Sequence, residues 1–144
     1  MRKVFFVQNN KILHSLLKNK LNKDSVIIFL NSKFNWQENF FFKKKKHFFY
    51  DHWVSEQDQK KIYFFLKNFL FSWNKDENFE DLSKYNNFST GNNFNDSIRI
   101  FAVNFLKEYY SYLNFLKKTD KVYFFGIRDH SLEILLDLKK KNSL

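Results

Sequence analysis

The sequence predicts an α/β fold in which helices flank a parallel sheet. Two short apolar runs, at 3–7 (KVFFV) and 25–31 (SVIIFLN), are typical of strands, and the segment 11–22 between them has helical periodicity. A strand, a helix and a strand within about 30 residues form a βαβ unit, which requires parallel strands and a right-handed crossover. A strand at 121–125 and a helix from Ser131 repeat the βα pattern later in the chain. The length of 144 residues favours a single domain.

The first strand and the first helix have clear local signals. The run at 3–7 ends before the turn formers Asn9 and Asn10. The segment 11–22 is amphipathic, because its apolar residues recur three and four positions apart and so share one side of a helix. These residues are Ile12, Leu13, Leu16, Leu17 and Leu21.

The middle of the chain is predicted to contain two long helices joined by a polar loop. The first covers 55–73 and opens at Ser55, with Asp58 three residues later as an imperfect capping box. Residues 74–96 are polar and rich in Asn, which favours a loop. The second long helix is predicted over 97–117.

Short polar residues predict where the helix at 97–117 begins, and lysines predict where the last helix ends. Asp96 or Ser97 is expected to cap the helix at 97–117. The final helix ends in Lys139–Lys141, whose charges suit the negative end of a helix dipole.

The composition points to a polyanionic partner and to a strong nucleotide bias. The net charge is +10, which favours nucleic acid or an acidic membrane face as partner. The chain has 21 Phe but no Pro, no Cys, one Ala and two Gly, a bias that indicates a genome very rich in A and T. No run approaches the roughly 18 apolar residues that a membrane span needs, so we expect no span.

The histidines give little support for catalysis or for a metal site. Asp129-His130-Ser131 contains triad residue types, but consecutive residues do not converge on one point, and a strand-to-helix turn with Ser131 as helix cap is favoured. His47 and His52 lack a third ligand at metal spacing, and His14 lies on the first predicted helix. We therefore expect no catalytic residues, no metal and no cofactor.

Two segments occupy positions where a phosphate could bind. Asn9 and Asn10 follow the first strand, but the glycines that let a backbone approach a pyrophosphate are missing there. Ser89-Thr90-Gly91 could cradle a phosphate, although an ordinary loop glycine is the favoured interpretation. No small-molecule substrate is therefore expected.

The strongest functional candidate is a lysine run inside 33–53, a segment predicted to be irregular. Lys43, Lys44, Lys45 and Lys46 are flanked by Phe40–Phe42 and Phe48–Tyr50. Lysines contact phosphates and aromatic rings stack on bases, so this segment is predicted to bind RNA; a solvated loop with anchoring aromatics is the alternative. Lys18, Lys20, Lys60 and Lys61 complete the predicted RNA-binding set, and Lys23, Lys117, Lys118 and Lys121 extend the basic surface.

The segment 79–84 (FEDLSK), with a predicted helix before it and another after it, resembles a motif of the small-subunit ribosomal protein S-two family. That family has F-[DE]-x-L-[ST]-K between the two helices of a helical hairpin. Further similarities, in chain order, are the strand Lys3–Val7, Asn31 and Trp36 after the second strand, and Val122–Phe125 followed by Asp129-His130. The resemblance extends over about residues 3–140.

The resemblance implies a Rossmann-like sheet with a protruding helical hairpin. The hairpin would cover about 55–117, between the βαβ unit (3–31) and the last βα unit (121–141). The implied function is that of a non-catalytic constituent of a mitochondrial small ribosomal subunit, which binds small-subunit rRNA and adjacent ribosomal proteins.

Several parts of the family pattern have no counterpart here. The family's segment before the first strand, its final strand and the glycines of its V-G-T-K and W-L-G-G motifs are missing. We therefore expect a reduced or split version of the family. The N-terminus predicts neither a secretory signal nor an Arg-rich transit peptide. If the protein works in the mitochondrial matrix, as the resemblance implies, we therefore expect it to be encoded in the organelle.

A second resemblance leads to an enzyme. The first strand with Gln8 and Asn9, Asn31, Ser89-Thr90-Gly91 and the strand 121–125 are similar to parts of bacterial sialyltransferases. In those enzymes Asn side chains and an S/T-G turn hold a cytidine nucleotide. The alternative function is thus a small glycosyltransferase that uses a cytidine nucleotide sugar.

Overall fold

The chain forms two compact units. The computed structural model describes residues 1–9, 15, 21, 24–30, 46–85, 88–126 and 129–141. Unit 1 comprises Met1–Trp53 and Ser111–Leu144, and unit 2 comprises Val54–Tyr110. Along the chain the strands are β1 (Lys3–Val7), β2 (Ser25–Phe29), β3 (Lys46–Phe49), β4 (Lys84–Tyr85), β5 (Phe88–Ser89) and β6 (Lys121–Phe125), and the helices are α1 (Glu56–Ser72), α2 (Thr90–Phe115) and α3 (His130–Lys140).

Unit 1 is built on a four-stranded, all-parallel sheet with the order β3-β2-β1-β6. β1 is an inner strand, and its Lys3 lies in register with Ser25 on one side and with Lys121 on the other. The strands at 3–7 and 121–125 have the predicted bounds, and the second strand ends at Phe29 rather than at Asn31. The parallel sheet and its helices confirm the predicted α/β, Rossmann-like fold.

The two inner strands form the core of unit 1. Val4, Phe6 and Ile28 have no exposed surface, and the rest of β1 and β2 is buried apart from the partly exposed Lys3. Burial on both faces explains why these strands are continuous apolar runs rather than alternating ones. On one face the ring of Phe5 stacks on Tyr123 with centroids 5.0 Å apart.

On the opposite face of the sheet, Phe6 packs edge-on against Tyr112 near the end of α2, with ring centroids 4.7 Å apart. Tyr112 is fully buried. The apolar side of α3 is also buried, through Ile134, Leu135 and Leu138.

An ion pair with a buried carboxylate fixes the start of β1 beside the start of β6. Arg2 donates from Nε to Asp120 Oδ1 at 2.9 Å, from Nη2 to Oδ2, and from Nη2 to the carbonyl oxygen of Phe115 at 2.9 Å. The Asp120 side chain is 1% exposed. Burial alone would raise the pKa of Asp120, but the hydrogen bonds from Arg2 and from the Lys117 backbone, with the nearby positive charges, outweigh it and lower the pKa.

Unit 2 begins with a fully capped helix. Ser55 Oγ accepts from the Asp58 N–H at 3.1 Å, and Asp58 Oδ2 accepts from the Ser55 N–H at 3.1 Å. The capping box that the sequence predicted as imperfect is therefore complete, because Asp58 reaches back as a Glu would.

The contacts between α1 and α2 run in opposite order along the two helices. Trp73 Nε1 donates to Asn95 Oδ1 at 2.7 Å, while Lys61 Nζ lies 5.6 Å from the ring centroid of Tyr110. Since the end of α1 meets the beginning of α2, the two helices of unit 2 are antiparallel. That they protrude as a hairpin stays a prediction.

The structure corrects three details of the predicted elements. A strand, β3, lies inside the segment 33–53 that was predicted to be irregular, and it gains its hydrogen bonds by pairing with β2. The second long helix begins at Thr90, seven residues before the predicted start, so that it includes the last seven residues of the predicted polar loop and neither Asp96 nor Ser97 is its N-cap. The N-cap of α3 is Asp129 rather than Ser131.

Some expectations fall outside the described residues. Of the helix predicted at 11–22, only Ser15 and Leu21 are described, and Leu21 packs against the sheet core. Asn10, His14, Asn31 and Trp36 also lie outside the described residues.

We expect Arg2→Ala to lower the free energy of unfolding by about 3 kcal/mol, because it leaves the buried Asp120 carboxylate without its main partner. The matched control is Arg99→Ala, since Arg99 pairs with an exposed carboxylate, Asp96, at 3.1 Å. Its expected loss is below about 1 kcal/mol. Urea unfolding of both variants at pH 7 measures the difference, and equal losses would contradict the structural role of the Arg2 pair.

Candidate functional site

The carboxyl ends of β1 and β6 form the place where a Rossmann-like sheet usually binds its ligand. In open α/β sheets this crevice lies where the strand order reverses. Here β1 pairs on one side with β2, the strand that follows it in sequence. On its other side it pairs with β6, which is far away in sequence. The residues that follow the two strands are Gln8, Asn9, Gly126 and Asp129.

The side chain of Gln8 lies at these strand ends and contacts Asp129 and Gly126. Its Nε2 donates to Asp129 Oδ2 at 3.0 Å, and its backbone N–H donates to the carbonyl oxygen of Phe125 at 3.2 Å. A Cβ at Gly126 would lie 2.6 Å from Gln8 Oε1, which is closer than van der Waals contact allows. Gly126 therefore makes room for a side chain of the same protein.

Asp129 occupies the positive end of α3. Its Oδ1 accepts from the N–H groups of Ser131 at 3.0 Å and of Leu132 at 3.4 Å. These amides are the groups that would hold a phosphate at a helix N-terminus. Because a carboxylate already binds them, a phosphate would meet both an occupied site and a like charge. His130 is the first residue of α3 and is exposed, so Asp129-His130-Ser131 forms a helix start.

The segment FEDLSK, which carries the resemblance, caps α2. Ser83 Oγ accepts from the Gly91 N–H at 2.7 Å, and the Ser83 carbonyl oxygen accepts from Thr90 Oγ1 at 2.7 Å and from the Thr90 N–H at 3.2 Å. A Cβ at Gly91 would lie 2.5 Å from Ser83 Oγ. The amide of Ser89-Thr90-Gly91 that could bind a phosphate is thus bound by Ser83. Gly91 lies in the first turn of a helix rather than in a loop.

Asp81 anchors the same network. Its Oδ1 accepts from Ser83 Oγ at 2.5 Å, from the Ser83 N–H at 2.9 Å and from Asn74 Nδ2 at 3.0 Å. The hydrogen bond from the Ser83 hydroxyl, followed by one from Ser89, lowers the pKa of Asp81 to about 2. This arrangement explains why an acid and a hydroxyl residue two positions apart precede α2.

Most of the lysines predicted to bind RNA lie where no contact can be described. Lys18, Lys20, Lys43, Lys44 and Lys45 are outside the described residues, and Lys46 is the first residue of β3.

The two remaining predicted lysines lie on α1 and are exposed. Lys60 is 3.0 Å from Glu56, and Lys61 is 3.7 Å from Asp58. Each has a carboxylate beside it, which weakens the positive field at that helix.

Charge is distributed very unevenly between the units. Unit 2 contains seven basic and eight acidic residues and so has a net charge of −1. Unit 1 contains 18 basic and seven acidic residues, a net charge of +11. Its described lysines that are exposed include Lys117, Lys118, Lys121, Lys139 and Lys140. The whole positive charge of the chain therefore belongs to unit 1.

Unit 2 instead exposes apolar surface. Of the twelve large apolar side chains that are exposed among the described residues, nine belong to unit 2. They are Tyr63, Phe64, Phe65, Phe71, Phe79, Leu82, Phe94, Ile100 and Phe101. A cavity of about 220 Å³ between α1 and α2 is lined only by apolar residues, among them Phe69, Phe101 and Phe105. Exposed apolar side chains mark an interaction surface where they form a contiguous patch.

The described residues offer neither a metal site nor a membrane span. No group of three or more His, Asp or Glu residues among them could hold a metal ion. None of the helices built from them has the length and apolar character needed to cross a membrane.

Comparisons of the chain with protein-family models, curated proteins and solved structures give no match. The resemblance to the S-two family therefore depends on the motifs of this sequence alone. The charge division between the units, the hydrogen bond between Gln8 and Asp129 and the capping role of Ser83 were not predicted. The first could have been found by summing charges over the predicted hairpin.

We expect the contribution of Asp81 to stability to depend on pH. Its folded-state pKa of about 2 lies below the ordinary value of 3.8, so the stabilisation is fully present above about pH 4 and is lost as the pH falls through 2. Asp81→Asn should therefore destabilise the protein at pH 7, by an amount that shrinks at pH 3. Urea unfolding at both pH values, with Asp96→Asn as an exposed control, checks this; a difference that grows towards pH 3 would contradict it.

Proposed function

We propose that this protein is a structural constituent of a mitochondrial small ribosomal subunit, in which unit 1 binds rRNA and unit 2 binds neighbouring ribosomal proteins. The observation that supports this most is the charge of +11 on unit 1 beside −1 on unit 2. A partner with many phosphates suits the first unit, and a partner with apolar surface suits the second.

The rRNA part of the proposal depends on uncompensated lysines. The excess of 11 positive charges in unit 1 is large for a unit of this size and favours a polyanion that neutralises it. Lys117, Lys118 and Lys121 lie close together in sequence, and all three are exposed. Their neighbour Asp120 binds Arg2 and so adds no exposed negative charge.

The protein part of the proposal depends on the aromatic surface of unit 2. Phe64, Phe71 and Phe94 are each more than half exposed, which is unfavourable in water unless another surface covers them. A net charge near zero gives this unit little long-range attraction for phosphate. Apolar contact with adjacent proteins is the function that this surface supports.

The sialyltransferase alternative gains no support from the crevice. A nucleotide phosphate at the N-terminus of α3 would have to displace Asp129, and a ligand at the carboxyl ends of β1 and β6 would meet Gln8, which donates to Asp129. The transferase alternative predicts that cytidine monophosphate raises the melting temperature of the protein, whereas we expect millimolar nucleotide to leave it unchanged. A clear rise would favour the transferase over the ribosomal proposal.

We expect RNA binding to be strongly salt-dependent. For about six to ten phosphate contacts, the affinity for a small-subunit rRNA fragment should fall by roughly 10³-fold or more between 50 and 200 mM salt, because binding releases counterions. Filter binding at several salt concentrations gives the slope of log affinity against log salt. A flat slope would contradict phosphate-dominated binding.

The lysines can be separated by unit with matched variants. Replacing Lys43–Lys46 by Gln should make the slope of log affinity against log salt clearly less steep, because each lost phosphate contact reduces the slope. Lys60→Gln with Lys61→Gln should change the slope little, because these two lysines already have carboxylate neighbours. A larger effect from the second variant would place RNA on unit 2.

In cell extracts, a tagged chain that sediments only in fractions lighter than a ribosomal subunit would rule out the ribosomal proposal.

A further inference from the structure

β6 is an edge strand of the sheet, and half of its backbone groups point away from β1. The Lys121 N–H donates to the carbonyl oxygen of Arg2 at 2.9 Å, and the Gln8 N–H donates to the carbonyl oxygen of Phe125 at 3.2 Å. In a parallel sheet, the backbone N–H and C=O groups of successive residues point alternately to the strand on one side and to the strand on the other. Val122 and Phe124 therefore direct their N–H and C=O groups to the free edge, where no strand of the described residues pairs with them.

An apolar groove adjoins this edge. It has a volume of about 330 Å³ and lies between β6 and α3. Val122 and Phe124 line it from the strand, and Leu132, Leu135 and Leu136 line it from the helix. The same two strand residues thus supply both free backbone groups and apolar side chains. A strand added at this edge could place every second side chain in the groove.

The rim of the groove is positively charged. Lys118 and Lys139 line it and are exposed, and Lys121 is exposed at the start of the strand. The acid in the lining is Asp120, whose side chain is 1% exposed and is paired with Arg2. A segment that carries carboxylates beside its apolar residues therefore complements this groove in charge.

We propose that the β6 edge and its groove bind an extended, acidic segment of a partner protein, which adds a fifth strand to the sheet. Doubly wound sheets of the order 3-2-1-4 continue with a further strand at this position. Addition of a strand provides main-chain hydrogen bonds for affinity, while pockets for alternate side chains provide specificity. The segment pairs with Val122 and Phe124, inserts apolar side chains over Leu135, and directs carboxylates to Lys118 and Lys139.

RNA is the less suitable occupant, although lysines surround the groove. Four of the eight lining residues are aliphatic, and the one aromatic residue among them, Phe124, is partly buried rather than presented as a stacking surface. The free backbone groups follow the repeat of a β-strand, which a polynucleotide cannot match. This inference does not require rRNA binding by unit 1, although Lys118 and Lys121 also belong to the lysines on which the rRNA proposal depends.

Hydrogen exchange tests the free edge. In the full chain without partner, the amides of Val122 and Phe124 should exchange much faster than those of Lys121 and Tyr123, which face β1. Equal protection of all four would mean that the edge is already covered and would overturn the inference.

A display library of random peptides of about nine residues, selected on the full chain, then provides the probe. Enriched peptides should alternate apolar and other residues and carry net negative charge. A synthetic peptide of the enriched sequence should slow exchange at Val122 and Phe124. Enriched peptides that are basic or without alternation, or protection elsewhere in the chain, would overturn the proposal.

Val122→Pro removes one outward N–H and leaves the hydrogen bonds to β1 intact, because the Val122 N–H does not face β1. It should weaken the peptide about tenfold, the effect of one hydrogen bond. Val122→Ala keeps the N–H and should weaken the peptide less. Equal binding by Val122→Pro and the unchanged protein would contradict strand addition.

A second variant does not touch the strand. Lys118→Glu with Lys139→Glu changes two exposed side chains and should abolish the preference for acidic peptides; an unchanged preference would overturn the charge argument. Val122→Pro should bind the rRNA fragment as well as the unchanged protein does. Loss of peptide binding with RNA binding retained separates this proposal from the ribosomal one.

Discussion

The pairing of β1 with β6 is the constraint on which unit 1 depends. β1 is five residues long, yet it is hydrogen-bonded on both sides and contributes Val4, Phe5, Phe6 and Val7 to the core. Its partner β6 lies more than a hundred residues later, and the intervening chain includes all of unit 2. Because the entropy of loop closure grows only with the logarithm of loop length, such an insertion adds little to the cost of pairing. The ion pair between Arg2 and Asp120 holds the two strands in register at the end where both begin.

Local signals decided which elements could be predicted from the sequence. The strands at 3–7 and 121–125 are short apolar runs, and α1 has its own cap in Ser55 and Asp58, so nearby residues were sufficient. The prediction of where α2 starts was wrong because the residue that caps it, Ser83, lies in a separate segment and binds Thr90 and Gly91 across the polar stretch. β3 was not predicted because it follows a lysine run and is held in an extended conformation by its pairing with β2. Periodicity cannot reveal a partner that lies elsewhere in the chain.

The two glycines show why a candidate site was harder to judge than the fold. In this sequence, from which Pro is absent and Ala nearly so, glycine stands at positions 91 and 126, and at both a Cβ would collide with a side chain. At Gly126 the neighbour is Gln8, and at Gly91 it includes Ser83. A glycine that allows close approach of a phosphate and one that allows close approach of the protein's own side chain look identical in sequence. Only the hydrogen-bond partners of the surrounding amides distinguish them.

The two units require different surroundings, and this argues for an assembly of mixed composition. Unit 1, at +11, repels itself and is stabilised by a partner that brings negative charge. The exposed aromatic residues of unit 2 gain nothing from phosphates and are stabilised only by removal from water. A nucleic acid alone would leave the aromatic surface uncovered, and an apolar protein partner alone would leave the lysines uncompensated. The ribosomal particle that we propose contains both RNA and protein and so meets both requirements at once, and the strand addition that we propose at β6 gives a protein partner a further place to bind.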